Sequence, residues 1–269
     1  MNPAIPDHPH ETTSARITRR ADALSRRLRA VGERVFPPTA QKSLRSFTSG
    51  EVAEIVGVSD GYLRQLSLDG LGPVPELGPS GRRSYTLEQV MDLRRYLATA
   101  RPKDAVRFWP RRREGDKLQV ITVANFKGGS AKTTTSLYLA QGLALSGLRV
   151  LAIDLDPQAS LSAMFGLQPE FDIAENATLY GAIRYDDQRV AMKEVVRPTY
   201  FTGISIVPGN LELMEFEHQT PRYMMEGRSR PDELFFRRVA RAIAEVDDDF
   251  DVVVIDCPPT LQTATVGDV

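Results

Sequence analysis

Gln119-Val120-Ile121-Thr122-Val123-Ala124 is an almost continuous β-branched run, and Lys127-Gly128-Gly129-Ser130-Ala131-Lys132-Thr133-Thr134 follows two residues later. A run of the first kind reads as a buried parallel strand. Beyond the glycines, Thr134 to Leu145 carries apolar residues at Leu137, Leu139, Ala140, Leu143 and Ala144 and stops at Gly147, the pattern of a helix. Strand, glycine-rich loop and helix in this order restrict the fold class to α/β. Small residues at 128 to 131 let the backbone curl so that its N–H groups converge on an anion. The helix N-terminus behind them adds its dipole.

Two more strands end in carboxylates. Arg149-Val150-Leu151-Ala152-Ile153-Asp154-Leu155-Asp156 is one, and alternation along an extended chain sets Asp154 and Asp156 on the same side. Asp251-Val252-Val253-Val254-Ile255-Asp256 is the other, delivering one carboxylate at its end. Sites in α/β sheets assemble at the C-terminal ends of strands. In a phosphate cradle of this kind Lys132 reaches the β- and γ-phosphates and the Thr133 hydroxyl holds Mg²⁺. Asp256 then stands on the Mg²⁺ shell in the Walker B arrangement. The expected fold is a P-loop NTPase doubly wound parallel sheet. The plain P-loop pattern fails, however: Phe126 stands six residues before Lys132 where a Gly belongs, Ala131 stands just before it, and Lys127 is extra.

That extra lysine resembles the deviant Walker motif of the ParA/MinD ATPases. The stretch Asp156-Pro157-Gln158, the segment Leu179 to Asp186, and Val207-Pro208-Gly209-Asn210-Leu211-Glu212-Leu213-Met214 look like plasmid-partition ATPases, nearest to the RepA branch of RepABC-type plasmids. The resemblance covers nearly the whole chain. It implies ATP and Mg²⁺ as cofactors, with the nucleotide held by Lys127, Gly128, Gly129, Ser130, Ala131, Lys132, Thr133 and Thr134. Lys127 would reach the other subunit's phosphates in a nucleotide-sandwich homodimer. Lys127, Lys132, Asp154 and Asp156 are the implied catalytic set, Asp156 positioning the attacking water with Asp154 beside it. Thr133 and Asp256 are the implied metal ligands. Ala131 departs from the family's Gly, and its methyl is expected to crowd the loop. Implied partners are DNA, operator and non-specific, and a ParB-type partition protein that stimulates slow hydrolysis. Cytoplasmic, nucleoid-associated residence and repression of its own operon follow from the same resemblance. The alternative is a DNA-binding repressor that uses nucleotide only as a switch ligand. A MinD-type membrane regulator fits less well, since no amphipathic C-terminal anchor is present. A nitrogenase iron-protein relative would need two cluster ligands per subunit, and Cys257 is the one cysteine.

At 269 residues the chain has room for two domains. No apolar run nears the ~20 residues of a membrane span, and the N-terminus lacks a signal-peptide core. Cys257 cannot form an intramolecular disulfide and reads as a small packed residue. Net charge is −1, but residues 1–117 carry 21 basic and 14 acidic side chains, whereas the remainder carries 13 and 21. A basic front joined to an acidic back suggests that nucleic acid is met at the front.

Within that front, Val52, Val56, Val58, Leu63 and Leu66 take the apolar positions of a helix-turn-helix, with Ala53 and Gly57 at its small-residue positions. Asp60 to Ser67 is the expected recognition helix, with Arg64, Gln65 and Ser67 facing a DNA groove. Gly78-Pro79-Ser80-Gly81 with Arg82 and Arg83 reads as a basic wing, and Thr86 and Gln89 open a helix to about Leu97. Residues 40–100 are therefore expected to form a MerR-like winged helix that binds DNA; the plainer alternative is a small domain used for packing. Ahead of it, Ile17, Ala21, Leu24, Leu28, Val31 and Val35 form an apolar seam over 14–36, with arginines 19, 20, 26, 27 and 29 off it. The seam suits pairing of two chains or docking within one. Residues 1–13 are expected to be a disordered arm, 101–117 a basic linker touching DNA phosphates, and 118–269 an ATPase domain lacking its C-terminal part. Gln262 to Val269 matches the family poorly, and an unpaired sheet edge is expected where further strands would add.

Overall fold

The structure is a computed structural model and describes residues 12–35, 42–78, 81–168, 172–216, 219 and 235–259. The chain divides into two units, Met1–Lys42 and Ser43–Val269. In the first, the alternating 4-and-3 spacing produces one helix, α1 (Thr13–Val35), whose seam residues Ile17, Leu24, Leu28 and Val31 are exposed. The expected arm lies outside the described residues except for its last two positions, as do Gln262 to Val269.

The second unit opens with two short helices, α2 (Ser49–Val56) and α3 (Asp60–Leu68). Local chemistry sets their ends. Thr48 and Glu51 form a reciprocal capping box, Gly57 closes α2 at φ +78, and the Ser59 hydroxyl caps α3. A left-handed φ favours glycine because it has no Cβ to clash. Val52, Ala53, Val56, Leu63 and Leu66 are buried, as their spacing requires. Strands β1 (Phe47–Thr48), β2 (Glu76–Leu77) and β3 (Arg83–Tyr85) form an antiparallel sheet in the order β1-β3-β2. Helix α4 (Leu87–Ala100) starts from a second capping box, Thr86 with Gln89, and runs three residues further than the sequence suggests.

Segment 101–117 departs from its expectation as a DNA-contacting linker. After a 3-10 turn (Pro102–Asp104) it forms α5 (Ala105–Phe108), with Phe108 fully buried. Two of its arginines turn toward the α/β half: Arg111 Nη1 lies 3.1 Å from Asp251 Oδ2, and Arg112 Nη1 lies 3.0 Å from Asp247 Oδ1. The cause is Asp251 itself, a buried carboxylate just before a central strand, which needs cations and N–H donors to stay charged.

The main sheet holds β4 (Gln119–Val123), β5 (Val150–Asp154), β6 (Arg197–Pro198), β7 (Ile204–Val207) and β8 (Val252–Asp256) in the order β4-β8-β5-β7-β6. All are parallel except β6, which runs antiparallel to β7. Alternate residues feed two cores. Val150, Ala152, Ile206, Val252 and Val254 pack with α6 (Lys132–Leu145), α7 (Ser160–Met164) and α4, so the helical front and the sheet share one core. Leu151, Ile153, Val207, Val253 and Ile255 pack on the other face with α8 (Leu179–Ile183), α9 (Met192–Val195) and α10 (Phe235–Ala244). Helices on both faces of a parallel sheet are the doubly wound arrangement expected. β4 differs from its reading as a buried strand. It is half-exposed, with Ile121 36% accessible, because no described strand pairs with its outer edge.

Candidate functional site

The parallel registers bring the motifs to one end of the sheet. Val123, the last residue of β4, stands opposite Asp256, and Asp256 stands opposite Asp154. The loop 124–131 leaves β4 at this end and turns into α6. Its shape needs two left-handed residues, Gly129 at φ +72 and Ala131 at φ +61. Ala131 therefore departs from Gly at a position where the backbone itself disfavours a Cβ, a strain of about 1–2 kcal/mol. The Asn125 carboxamide oxygen accepts the Lys127 N–H at 2.9 Å and holds the loop's entry.

Asp256 is fully buried. Its Oδ1 accepts a hydrogen bond from Ser136 Oγ at 3.0 Å, while its Oδ2 has no partner. Burial pushes its carboxyl above the usual range, and Asp156 adds to this; the Thr133 and Ser136 hydroxyls and Lys132 oppose it. Lys132, Thr133, Asp156 and Asp256 thus lie within electrostatic reach of one another. Ser130 Oγ is likewise buried without a partner. Apart from arginine Nε atoms, Ser130 Oγ and Asp256 Oδ2 are the unsatisfied buried side-chain atoms among the described residues. Buried polar atoms without a protein partner are satisfied by water, an ion or a ligand. No cluster of three or more His, Cys, Asp or Glu suited to a metal occurs among the described residues. One carboxylate oxygen beside one threonine hydroxyl suits Mg²⁺, which binds through few protein ligands together with phosphate oxygens and water.

The two acids at the end of β5 differ in burial. The strand ends at Asp154, and Asp156 lies half-exposed in the connection that follows, which closes at Ala159 with φ +53. Asp156 Oδ1 accepts the Gln158 N–H at 2.9 Å. Asp154 is buried with both oxygens engaged: Oδ1 accepts from Asp156 N, and Oδ2 accepts from Ser162 N at 2.8 Å and Ser162 Oγ at 2.7 Å. Ser162 Oγ in turn accepts the Gly209 N–H at 3.1 Å. A Cβ at Gly209 would meet the Asp154 and Asp156 carbonyl oxygens at 2.8 Å, so the glycine is required by close approach. Asp154 therefore ties the β5 end to the loop after β7. Ser136 and Ser162, which hold the two buried acids, went unnoticed in the sequence; the i+4 spacing of Ser136 from Lys132 was the available signal.

Burial, with some help from the Asp256 charge, pushes Asp154 up to about 7 against the two Ser162 hydrogen bonds. The unfolded group ionises near its ordinary value of about 3.9, so between there and about 7 the folded chain binds the extra proton. Stability of the nucleotide-free chain should then fall as pH rises from about 4 to 7 and level off above that. Asp154→Asn should flatten this slope in urea midpoints measured across the range. An unchanged slope would show that Asp154 is ionised in the folded state. Cys257 is buried with its thiol pushed up to about 11 by burial, which matches its reading as a packed residue.

In the front of the second unit, three of the residues expected to face DNA are tied to neighbours. Gln65 Nε2 donates to Asp69 Oδ1 at 2.7 Å, and Arg83 Nε donates to Ser67 Oγ at 3.2 Å. Arg64 and Arg82 are exposed.

A family model described as AAA domain matches residues 118–268, more than half of the chain. The chain belongs to the ParA/MinD-type AAA-domain family. Among relatives of this ParA-type chain, a protein provisionally named replication protein A from Sinorhizobium fredii is 51% identical over 93% of this chain and 61% of its own length. Protein SopA from Escherichia coli strain K12 is 35% identical over 86% of this chain and 57% of its own length. The chain thus spans about three fifths of the curated relatives it matches. A crystal structure of cobyrinic acid a,c-diamide synthase from Mycobacterium smegmatis, with bound ATP analogue and magnesium, is 33% identical over 55% of each chain, with a TM-score of 0.47. Among the described residues no helix is long and apolar enough to cross a membrane.

Proposed function

We propose that this ParA-type chain acts in plasmid partition as an ATP-driven, DNA-binding switch. The observation that carries the nucleotide part is the pair of orphaned polar atoms, Ser130 Oγ and Asp256 Oδ2, at the same sheet end as Lys132 and Thr133. In this reading the loop N–H groups and Lys132 hold the β- and γ-phosphates of ATP. Thr133 and Asp256 hold Mg²⁺, which supplies charge neutralisation there. Asp156, half-exposed and within electrostatic reach of Asp256, orients the attacking water. Asp154 acts as a positioning residue, because its oxygens are already engaged by Ser162 and Asp156. Lys127 is exposed in the cradle loop and reaches the phosphates of a second subunit in a sandwich homodimer.

The front of the second unit is read as a winged helix: α2 and α3 as the helix-turn-helix and β2–β3 as the wing. It would bind operator and non-specific DNA and serve autoregulation of the operon. A ParB-type partner would stimulate hydrolysis and release the dimer from DNA. Residence in the cytoplasm on the nucleoid follows from that activity.

Lys127→Ala tests the sandwich. The variant should keep nucleotide binding as a monomer but lose ATP-dependent dimers in sedimentation, and turnover should fall roughly 10²- to 10³-fold, the range for removing one electrostatic contact to a transition-state charge. Normal dimers with normal turnover would leave Lys127 a solvated side chain. If Asp156→Ala leaves turnover at the parent level, nucleotide is a switch ligand in a repressor and the hydrolytic reading fails.

A further inference from the structure

The basic charge of the front half is not where the winged-helix reading needs it. Residues 43–100, which contain α2, α3 and the wing, hold six basic and seven acidic side chains. Arg64, Arg82 and Arg83 share the helix and wing with Asp60, Asp69 and Glu76. Segment 101–117 adds seven basic residues, and four of them have partners within the chain. Arg111 and Arg112 pair with Asp251 and Asp247, Arg107 donates to the Gly57 carbonyl at 2.5 Å, and Arg101 lies 4.5 Å over the Tyr62 ring. Helix α1 carries the larger excess of basic charge. Over Thr13–Val35 the sequence has seven arginines against two acids.

These arginines are segregated. Arg16, Arg20, Arg27 and Arg34 are spaced 4, 7 and 7, which at about 100° per residue keeps them within about 40° of one line. All four are exposed. At about 1.5 Å per residue the row is about 27 Å long, which matches about eight nucleotide steps of one strand along a duplex. The apolar seam beside it is only about 80° wide and holds Ile, Leu, Val and Ala without an aromatic residue. A helix that lies in a membrane surface typically presents a broader apolar face with aromatic anchors.

We propose that the Arg16–Arg20–Arg27–Arg34 row of α1 is a second, sequence-independent contact to duplex DNA, supplying the phosphate neutralisation that the α3–wing surface lacks. The inference rests on the reading of this protein as DNA-binding. Each arginine that neutralises a phosphate adds about 0.9 to the salt slope of binding. The row therefore governs affinity and its salt dependence, and α3 governs sequence preference.

The test is the salt slope of the full chain on a short fluorescein-labelled duplex of random sequence, read by anisotropy. Arg16→Gln/Arg20→Gln/Arg27→Gln/Arg34→Gln should lower the slope of log affinity against log salt by about 3 to 4. The corresponding four-lysine variant should restore it, since Arg, Lys and Gln have similar helix propensities and only the charge differs. A parent chain that binds with a slope unchanged in the glutamine variant overturns the α1 contact and leaves DNA binding elsewhere intact. A slope lowered by glutamine and not restored by lysine also overturns it, by making the arginines structural. A parent chain that does not bind the duplex even at low salt overturns the DNA-binding reading as a whole. Binding of phosphatidylserine vesicles that the glutamine variant loses, with its DNA slope unchanged, would assign the row to a membrane instead.

Discussion

Asp251→Ala is expected to lower the unfolding free energy by about 3 to 5 kcal/mol, the range for breaking a buried ion pair from one side. Asp251 is essentially inaccessible and holds together three parts of the chain that are distant in sequence. Its Oδ2 accepts from Arg111 Nη1 at 3.1 Å and Arg149 N at 2.7 Å; its Oδ1 accepts from Arg149 Nη2 at 2.9 Å and Arg112 N at 3.2 Å. Burial works against its charge, yet the Arg149 and Arg112 hydrogen bonds overcome it and hold the carboxyl below its ordinary range. Its contribution is therefore present above that ordinary range, about pH 4, and is lost as pH falls through the depressed folded value. In the alanine variant the donors of Arg111 and Arg149 lose their acceptor, and segment 109–113 loses its anchor on β8. Urea unfolding at neutral pH should show the full loss, and limited proteolysis should open new cuts between 101 and 117. A loss under about 1 kcal/mol, with the cleavage pattern unchanged, would mean that the shared core alone seats the segment.

What the sequence disclosed follows from the physics that was local to it. The helix boundaries at Thr48, Ser59 and Thr86 were legible because caps are written in neighbouring residues. The sheet ends carrying Asp154 and Asp256 were legible because unbroken apolar strands stop at their first carboxylate. Three features were hidden because they depend on residues far apart in the chain. Arg111 and Arg112 look like exposed basic residues until Asp251, about 140 positions later, is placed against them. Ser162 is an unremarkable helix residue until the β5 end and Gly209 converge on it. β4 has the composition of an inner strand, and only the strand order shows that one of its edges is open among the described residues.

Lys132→Ala is expected to have the largest functional effect. Lys132 is the first residue of α6, half-buried at the cradle, and its charge favours the ionised form of Asp256. Alanine is the strongest helix former, so the fold should be retained. The lost group is a charge-assisted contact to phosphate, worth about 1.5–3 kcal/mol, which corresponds to roughly 10- to 150-fold in ATP dissociation constant. Because the lysine acts on phosphate directly, the loss should appear both with Mg²⁺ and in EDTA. Asp256→Asn separates the two roles. Asparagine can still accept from Ser136 Oγ, but it no longer offers a charged oxygen at the orphaned Oδ2 position. That variant should keep the EDTA affinity of the parent chain and lose the gain that Mg²⁺ brings. Calorimetry on the three chains, with and without Mg²⁺, decides it. ATP affinity unchanged in Lys132→Ala would remove the phosphate-cradle assignment, and a full Mg²⁺ gain in Asp256→Asn would move the metal off β8.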